Sequence, residues 1–238
     1  MGGHGDTQDC PLDAVMRFSH AGREAQLCDG VDEYIRTVRL MVRRGAKCIK
    51  MASSGGVLSL NNSPEDRQFS DSELKAIVDG VSRSIEHWCY LDEEVADMMK
   101  AKGVILVATR YIQEDLLAGF RELPPKAIEE IEKLVPLSSS TYGLAIRPGV
   151  KIALGTDTTV AIRSIRSPTG RTQWNCDTRL KAGMTLLEAI DACTATPPAV
   201  LGKHAPLAGR LREGYDADVI AVASNPLEGI DVLLSPRL

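Results

Sequence analysis

Four side chains in this sequence stand where their neighbours make chemistry conceivable. Asp157 ends the stretch Lys151-Ile-Ala-Leu-Gly-Thr-Asp157. Its alternating apolar residues predict a short buried strand that delivers a carboxylate at its C-terminal end, the end at which α/β barrels keep their chemistry. Asp157 is therefore the first candidate for catalysis, the alternative being an ordinary Thr/Asp turn after a strand. Lys50 interrupts the apolar run Cys48-Ile-Lys-Met-Ala52, which reads as another short strand. An ammonium taken out of water is costly unless it is paired or loses its proton. Lys50 thus has either a special role or a stem that snorkels from a strand end to the surface. His87 closes the strand-like segment Ser84-Ile-Glu-His87, and His4 stands in the glycine loop Gly2-Gly-His-Gly-Asp6. That loop would suit close approach to a ligand, but from sequence alone a flexible terminus is the better-supported reading.

The elements that must hold these residues alternate between strand and helix. Val31, Ile35, Val38 and Val42 predict a helix face ending near Gly45. After the Lys50 strand comes a Gly/Ser/Asn-rich loop, Ser53 to Pro64, in the position where strand-to-helix loops line a barrel's active site. Ser70-Asp-Ser-Glu73 is a capping box opening a helix with Leu74, Ile77 and Val78 as its apolar stripe. Beyond His87, Asp92 is the expected N-cap of a helix stopped at Gly103. Val104-Ile-Leu-Val-Ala108 is a buried strand expected beside that of His87, and Ala127 to Leu134 is helical. Thr185-Leu-Leu-Glu188 opens a helix that stops before Pro197-Pro198. A turn-rich segment from Gly209 then feeds one strong strand ending at Val222. This alternation indicates a parallel α/β architecture.

With 238 residues, 44% hydrophobic and 25% charged, the chain has globular composition and length enough for a substantial core. A net charge of -4 leaves no basic excess for a polyanion. Arg36, Arg39, Arg43 and Arg44 recur at helical spacing, so a solvated face explains them better than nucleic acid does. Six scattered cysteines without a Cys-x-x-Cys pair read as reduced thiols. No apolar run reaches the ~18 residues a membrane span needs. With no signal sequence in view, a cytoplasmic location is expected.

In order along the chain, the segments Gly2-Gly-His-Gly-Asp6, Gly45-Ala-Lys-Cys-Ile-Lys50, Ser54-Gly-Gly-Val-Leu58, Gln68-Phe-Ser-Asp-Ser-Glu-Leu74, Ser84-Ile-Glu-His87, Gly155-Thr-Asp157 and Gly214-Tyr-Asp-Ala-Asp-Val219 with Asn225-Pro-Leu227 resemble the metal-dependent amidohydrolase superfamily. The likeness is strongest to its imidazolonepropionase-like and Xaa-Pro or N-acyl dipeptidase-like branch. It implies that Lys50 is carboxylated to a carbamate bridging two metal ions, that His87 is a metal ligand, and that Asp157 is both ligand and proton carrier. His4 is the candidate substrate-binding residue. The implied cofactor is a divalent metal, zinc or similar, as one or two ions. The implied reaction is hydrolysis of a carbon–nitrogen bond in a dipeptide or N-acyl amino acid.

The sequence also departs from the family pattern. It has no His-x-His pair, and the strand-helix unit carrying a further ligand histidine between Lys50 and His87 is missing. A closed (β/α) barrel takes ~250 residues. The expected fold is therefore an incomplete TIM-type barrel over 1–204, with a remnant of a small β-sandwich domain over 205–238, as in a truncated and internally deleted member. Loss of the unit is expected to bring the strand of His87 beside that of Lys50, and to leave apolar surface that favours self-association. Three functions follow: an amide hydrolase, a catalytically inactive derivative, and a deaminase or cyclic-amide hydrolase of the same superfamily. The expected partner is a small amide or peptide, with neither nucleic acid nor membrane.

Overall fold

The computed structural model describes residues 27–57, 61–79, 83–87, 90–110, 112–113, 123–155, 157, 180 and 183–234. His4 and the junction at Gly80 lie outside the described residues. The chain divides into two compact units, Met1–Ser82 with Leu123–Ile131, and Arg83–Glu122 with Glu132–Leu238.

In the first unit, α1 (Val31–Arg43) ends where expected, with Gly45 at φ 98° just past it. Its inward face is rotated from the expected one. Thr37 is the buried residue and Tyr34, Val38 and Met41 are half-buried, whereas Ile35 and Val42 face solvent. The two stripes differ by one position per turn, and the neighbour, not the periodicity, selects between them. That neighbour is α2 (Asp71–Asp79), opened by the expected capping box. Ser70 N–H donates to Glu73 Oε2 at 2.7 Å, and Glu73 Oε1 also accepts from Gly30 N–H at 2.6 Å. One carboxylate thereby satisfies orphan donors at the start of both helices. Cys28, buried beside these carboxylates, has its thiol pushed up to about 11 by burial and then by the charges of Glu33, Glu73 and Asp29.

The Lys50 segment departs from its expectation. Residues 48–51 form no strand, Lys50 is exposed, and order returns only as isolated bridges at Ala52 and at Ser54 opposite Arg67. Five residues with a charge in the middle have no intrinsic hold on strand geometry; only a pairing strand supplies it.

The second unit contains a repeated order of parallel segment and helix. Strand β1 (Ser84–Glu86) pairs in parallel with β2 (Ile105–Val107), in the register Ser84 to Ile105 and Glu86 to Val107. A third segment runs alongside β2 through a parallel bridge between Leu106 and Ile152. Leu106 N–H donates to Lys151 O at 2.8 Å, and Ala153 N–H donates back to Leu106 O at 2.9 Å. Between β1 and β2 lies α3 (Glu93–Lys102), capped by Asp92 and closed by Gly103 at φ 67°, the left-handed C-terminal position that glycine fills without strain. Between β2 and the third segment lies α4 (Pro125–Ile146), and beyond it α5 (Leu186–Cys193), α6 (Pro197–Val200) and two 3-10 turns. The contact division passes within α4, whose residues up to Ile131 belong with the first unit.

As expected, β2 is buried throughout and lies beside the strand of His87. Its residues alternate between two cores. Val104, Leu106 and Ala108 pack with Ala96 and Met99 of α3, Tyr142 and Ala145 of α4, and Ile152. Ile105 and Val107 face the other way, toward Ala153 and Val200. A strand covered on both faces must be apolar at every position, which is why this segment reads as an unbroken run. Burial of a side chain such as Leu106 contributes about 1.5–3 kcal/mol.

The C-terminal strand expected up to Val222 is not formed. Residues 216–220 are irregular, Val219 and Ile220 are exposed, and only Ala221 makes an isolated bridge. β-branched composition favours a pleated surface only where a ladder is on offer. No described helix is long and apolar enough to cross a membrane, and Cys28, Cys48 and Cys193 are free thiols.

Candidate active site at the strand ends

Three parallel segments must release their chains at one edge of the sheet, and the residues that follow them meet there. His87 follows Glu86 directly, with its N–H donating to Val107 O at 3.1 Å, so its backbone is still held by β2. Thr109 lies two residues past the end of β2, and Asp157 comes after Gly155 at the end of the third segment.

Their side chains converge. His87 Nδ1 lies 2.6 Å from Thr109 Oγ1 and 3.8 Å from Asp157 Oδ2. Strand polarity is expected to carry Lys50, His87 and Asp157 to one end, and of these the structure brings His87 and Asp157 together. Lys50 belongs to the other unit and stands on the irregular backbone described above.

Backbone strain marks the same three residues. His87 at φ 60°, Thr109 at φ 48° and Asp157 at φ 53° are the positive-φ non-glycine residues among the described ones. An L side chain in this region costs about 1–3 kcal/mol unless the surroundings hold it there, and the penalty is heaviest for β-branched threonine. The surroundings do hold Thr109: it is 5% exposed, and its methyl group faces Gly155, where a Cβ would come within 3.1 Å of Cγ2. Gly155 is therefore more than a turn residue, since it lets the third segment pass close beneath Thr109 on its way to Asp157.

His87 and Asp157 are 38% and 50% exposed. A pair so open to water contributes at most about 1 kcal/mol to stability. The separation of 3.8 Å also exceeds a hydrogen bond, so the carboxylate keeps oxygen lone pairs for a proton or a ligand. Thr109 was not among the residues singled out from sequence. Its signal is the one that marked Asp157: the first polar side chain after a buried run.

An imidazole and a carboxylate are suitable donors for a divalent ion, but a catalytic zinc site takes three protein ligands. Among the described residues no group of three His, Cys, Asp or Glu side chains is placed to hold a metal. His87 and Asp157 supply two.

Residues 3–237 match the family model described as amidohydrolase family. The chain is 41% identical over 271 aligned residues to ochratoxinase from Aspergillus niger, covering 99% of this chain and 55% of that protein. It thus spans about half the length of the curated relatives it matches. The aligned positions outnumber this chain's 238 residues, so the relative carries residues within the matched span that this chain lacks. Among solved structures, the crystal structure of A. niger ochratoxinase superposes with a TM-score of 0.78 at 40% identity, covering 98% of this chain and 60% of that one. A Xaa-Pro dipeptidase with methionine in its active site gives a TM-score of 0.73 at 28% identity, covering 88% and 57%. A prolidase complexed with N-methylphosphonate-L-proline gives 0.74 at 25%, covering 98% and 62%.

Proposed function

Since the chain belongs to the amidohydrolase family, whose similar structures have a TIM-barrel-like fold, we propose that it serves in hydrolysis of a carbon–nitrogen bond in a dipeptide or N-acyl amino acid. The observation that carries this reading is the convergence of His87 and Asp157, 3.8 Å apart, at the C-terminal edge of adjoining parallel segments. Asp157 takes a proton from the attacking water and passes it to the leaving nitrogen, a task that needs an accessible carboxylate with an uncommitted oxygen. His87 keeps a polar imidazole beside that carboxylate. The names of the similar Xaa-Pro dipeptidase and prolidase support the substrate class.

The family is metal-dependent as a rule, and zinc remains our proposal for the ion. His87 and Asp157 have the right donor chemistry but do not complete a site by themselves. Carboxylation of Lys50 would need a sheltered amine, and Lys50 is exposed. That exposure, with the two-donor count, favours a second reading, a catalytically inactive derivative of the family.

Turnover separates the two. The purified chain is assayed against Xaa-Pro dipeptides, N-acyl amino acids and ochratoxin, with and without added zinc or manganese. The enzyme reading expects hydrolysis of at least one of these, abolished in Asp157→Asn. Absence of hydrolysis under every condition overturns it in favour of the inactive derivative.

A further inference from the structure

We propose that Gln113, through its buried hydrogen bond with Ser138, is a positioning residue that fixes the turn presenting Thr109 to His87. This deepens the reading above, rests on His87 and Asp157 forming the site, and adds the anchor of the turn beside them.

Thr109 holds a conformation that its own residue type disfavours. At φ 48° a β-branched side chain is strained, and such strain persists only where the surroundings over-determine it. Before Thr109 the backbone is fixed by β2 and by Ala108, which packs with Tyr142 and Ala145 of α4. After Thr109 the turn is closed by Ile112 N–H donating to Thr109 O at 3.3 Å, longer than the usual bond. One long bond is a weak hold on a strained residue. The next residue supplies a stronger one, since Ser138 Oγ donates to Gln113 Oε1 at 2.6 Å.

Both partners of that bond are buried, Gln113 at 7% and Ser138 at 1% exposed. An apolar pair would fill the space without desolvating two polar groups. What the polar pair adds is direction: a fixed distance and orientation where apolar packing permits sliding. The anchor is itself rigid. Ser138 lies one helical turn before Tyr142 on the same face of α4, and Tyr142 is buried in the cluster that contains Leu106 and Ala108. A closed path thus runs from β2 through Thr109 and Gln113 to Ser138, along α4 to Tyr142, and back to Ala108. Gln113 sets where the turn ends, and Thr109 carries that position to the His87 ring at 2.6 Å.

The test is amide hydrogen exchange of the full chain, resolved residue by residue by NMR. Ile112 reports the turn, while Leu106 and Ala153, whose amides join β2 to the third segment, report the sheet. Wild-type Ile112 should be protected; exchange at the open-chain rate overturns the proposal without any variant. Ser138→Ala and Gln113→Met remove the bond from opposite sides with little change of volume. Each should speed exchange of Ile112 about 10-fold relative to Leu106 and Ala153. Unchanged Ile112 exchange overturns the proposal. Equal acceleration of all three amides, or loss of folding in both variants, makes the bond a general part of the core and overturns it as well. Exchange needs no turnover, so absence of hydrolysis counts against the proposed function and leaves this test intact. On an active chain both variants should lower kcat about 10-fold with KM little changed; an unchanged kcat despite a loosened turn overturns the positioning role.

Discussion

Gly155 passes Val107 so closely that a Cβ on the glycine would stand 2.4 Å from Val107 Cγ1. Val107 is buried in β2 and cannot step aside without disturbing Ile105 and Ala153, its companions on that face. Gly155→Ala should therefore destabilise by about 1–3 kcal/mol, as overpacking does. In a chain of this size that lowers the melting temperature by roughly 2–4 °C per kcal/mol. An unchanged melting temperature would show that the third segment can move away from β2.

A second expectation concerns the strain at Asp157. Its backbone at φ 53° lies where glycine is at ease, and its half-exposed side chain contributes little packing. Asp157→Gly should leave stability within about 0.5 kcal/mol of wild type or raise it, while removing any hydrolysis the chain performs. Denaturant unfolding measures the first and the substrate panel the second. Marked destabilisation would mean that Asp157 has a structural role.

How much of this was legible in the sequence depends on the range of the forces concerned. Asp92 with Gly103, Ser70 with Glu73 and Thr185 with Glu188 act within a turn of their own helix, so sequence locates those ends well. The unbroken run from Val104 to Ala108 exposed its burial on two faces, and strand polarity alone brought His87 and Asp157 together. The Lys50 segment and residues 216–220 were misread as strands because pairing is decided by a distant partner, which composition does not encode. The face of α1 was misassigned for a similar reason, its orientation being set by α2. Thr109 escaped notice because a single threonine after a strand is common; its contact with His87 is visible only once β1 and β2 are paired.

The capping carboxylates predict a dependence on acid. Glu73 is held below the ordinary carboxylate value of 4.5 by hydrogen bonds from the Ser70 hydroxyl, the Ser70 N–H and the Gly30 N–H. Glu188 is lowered by the backbone and then the hydroxyl of Thr185. A carboxyl whose pKa is lower folded than unfolded stabilises the fold fully above its unfolded value, and the contribution is lost as pH falls through the folded one. Stability should therefore decline on acidification from about pH 6 to about pH 3, and a Glu73→Gln/Glu188→Gln double variant should lose less across that range. The hydroxyl caps are tested separately by Ser70→Ala and Thr185→Ala, each expected to cost about 0.5–2 kcal/mol. An identical acid profile for wild type and double variant would remove these carboxylates from the account.

The last prediction tests whether the sheet centre carries the fold of the second unit. Leu106 has no exposed surface, its N–H and C=O are both committed to the third segment, and its side chain lies among residues from α3, α4 and that segment. Truncation leaves a void enclosed by elements whose positions are already fixed by one another, so relaxation is limited and the cavity term adds to the lost transfer energy. Leu106→Ala should cost about 2–5 kcal/mol, within the 5–15 kcal/mol that is usual for a whole domain. Leu211, by contrast, is 83% exposed, and Leu211→Ala should change stability by less than about 0.5 kcal/mol. The comparison matters because both substitutions remove the same atoms, so any difference measures environment alone. Similar denaturation midpoints for the two variants would mean that residues 104–108 do not form the buried centre on which the placement of His87, Thr109 and Asp157 depends.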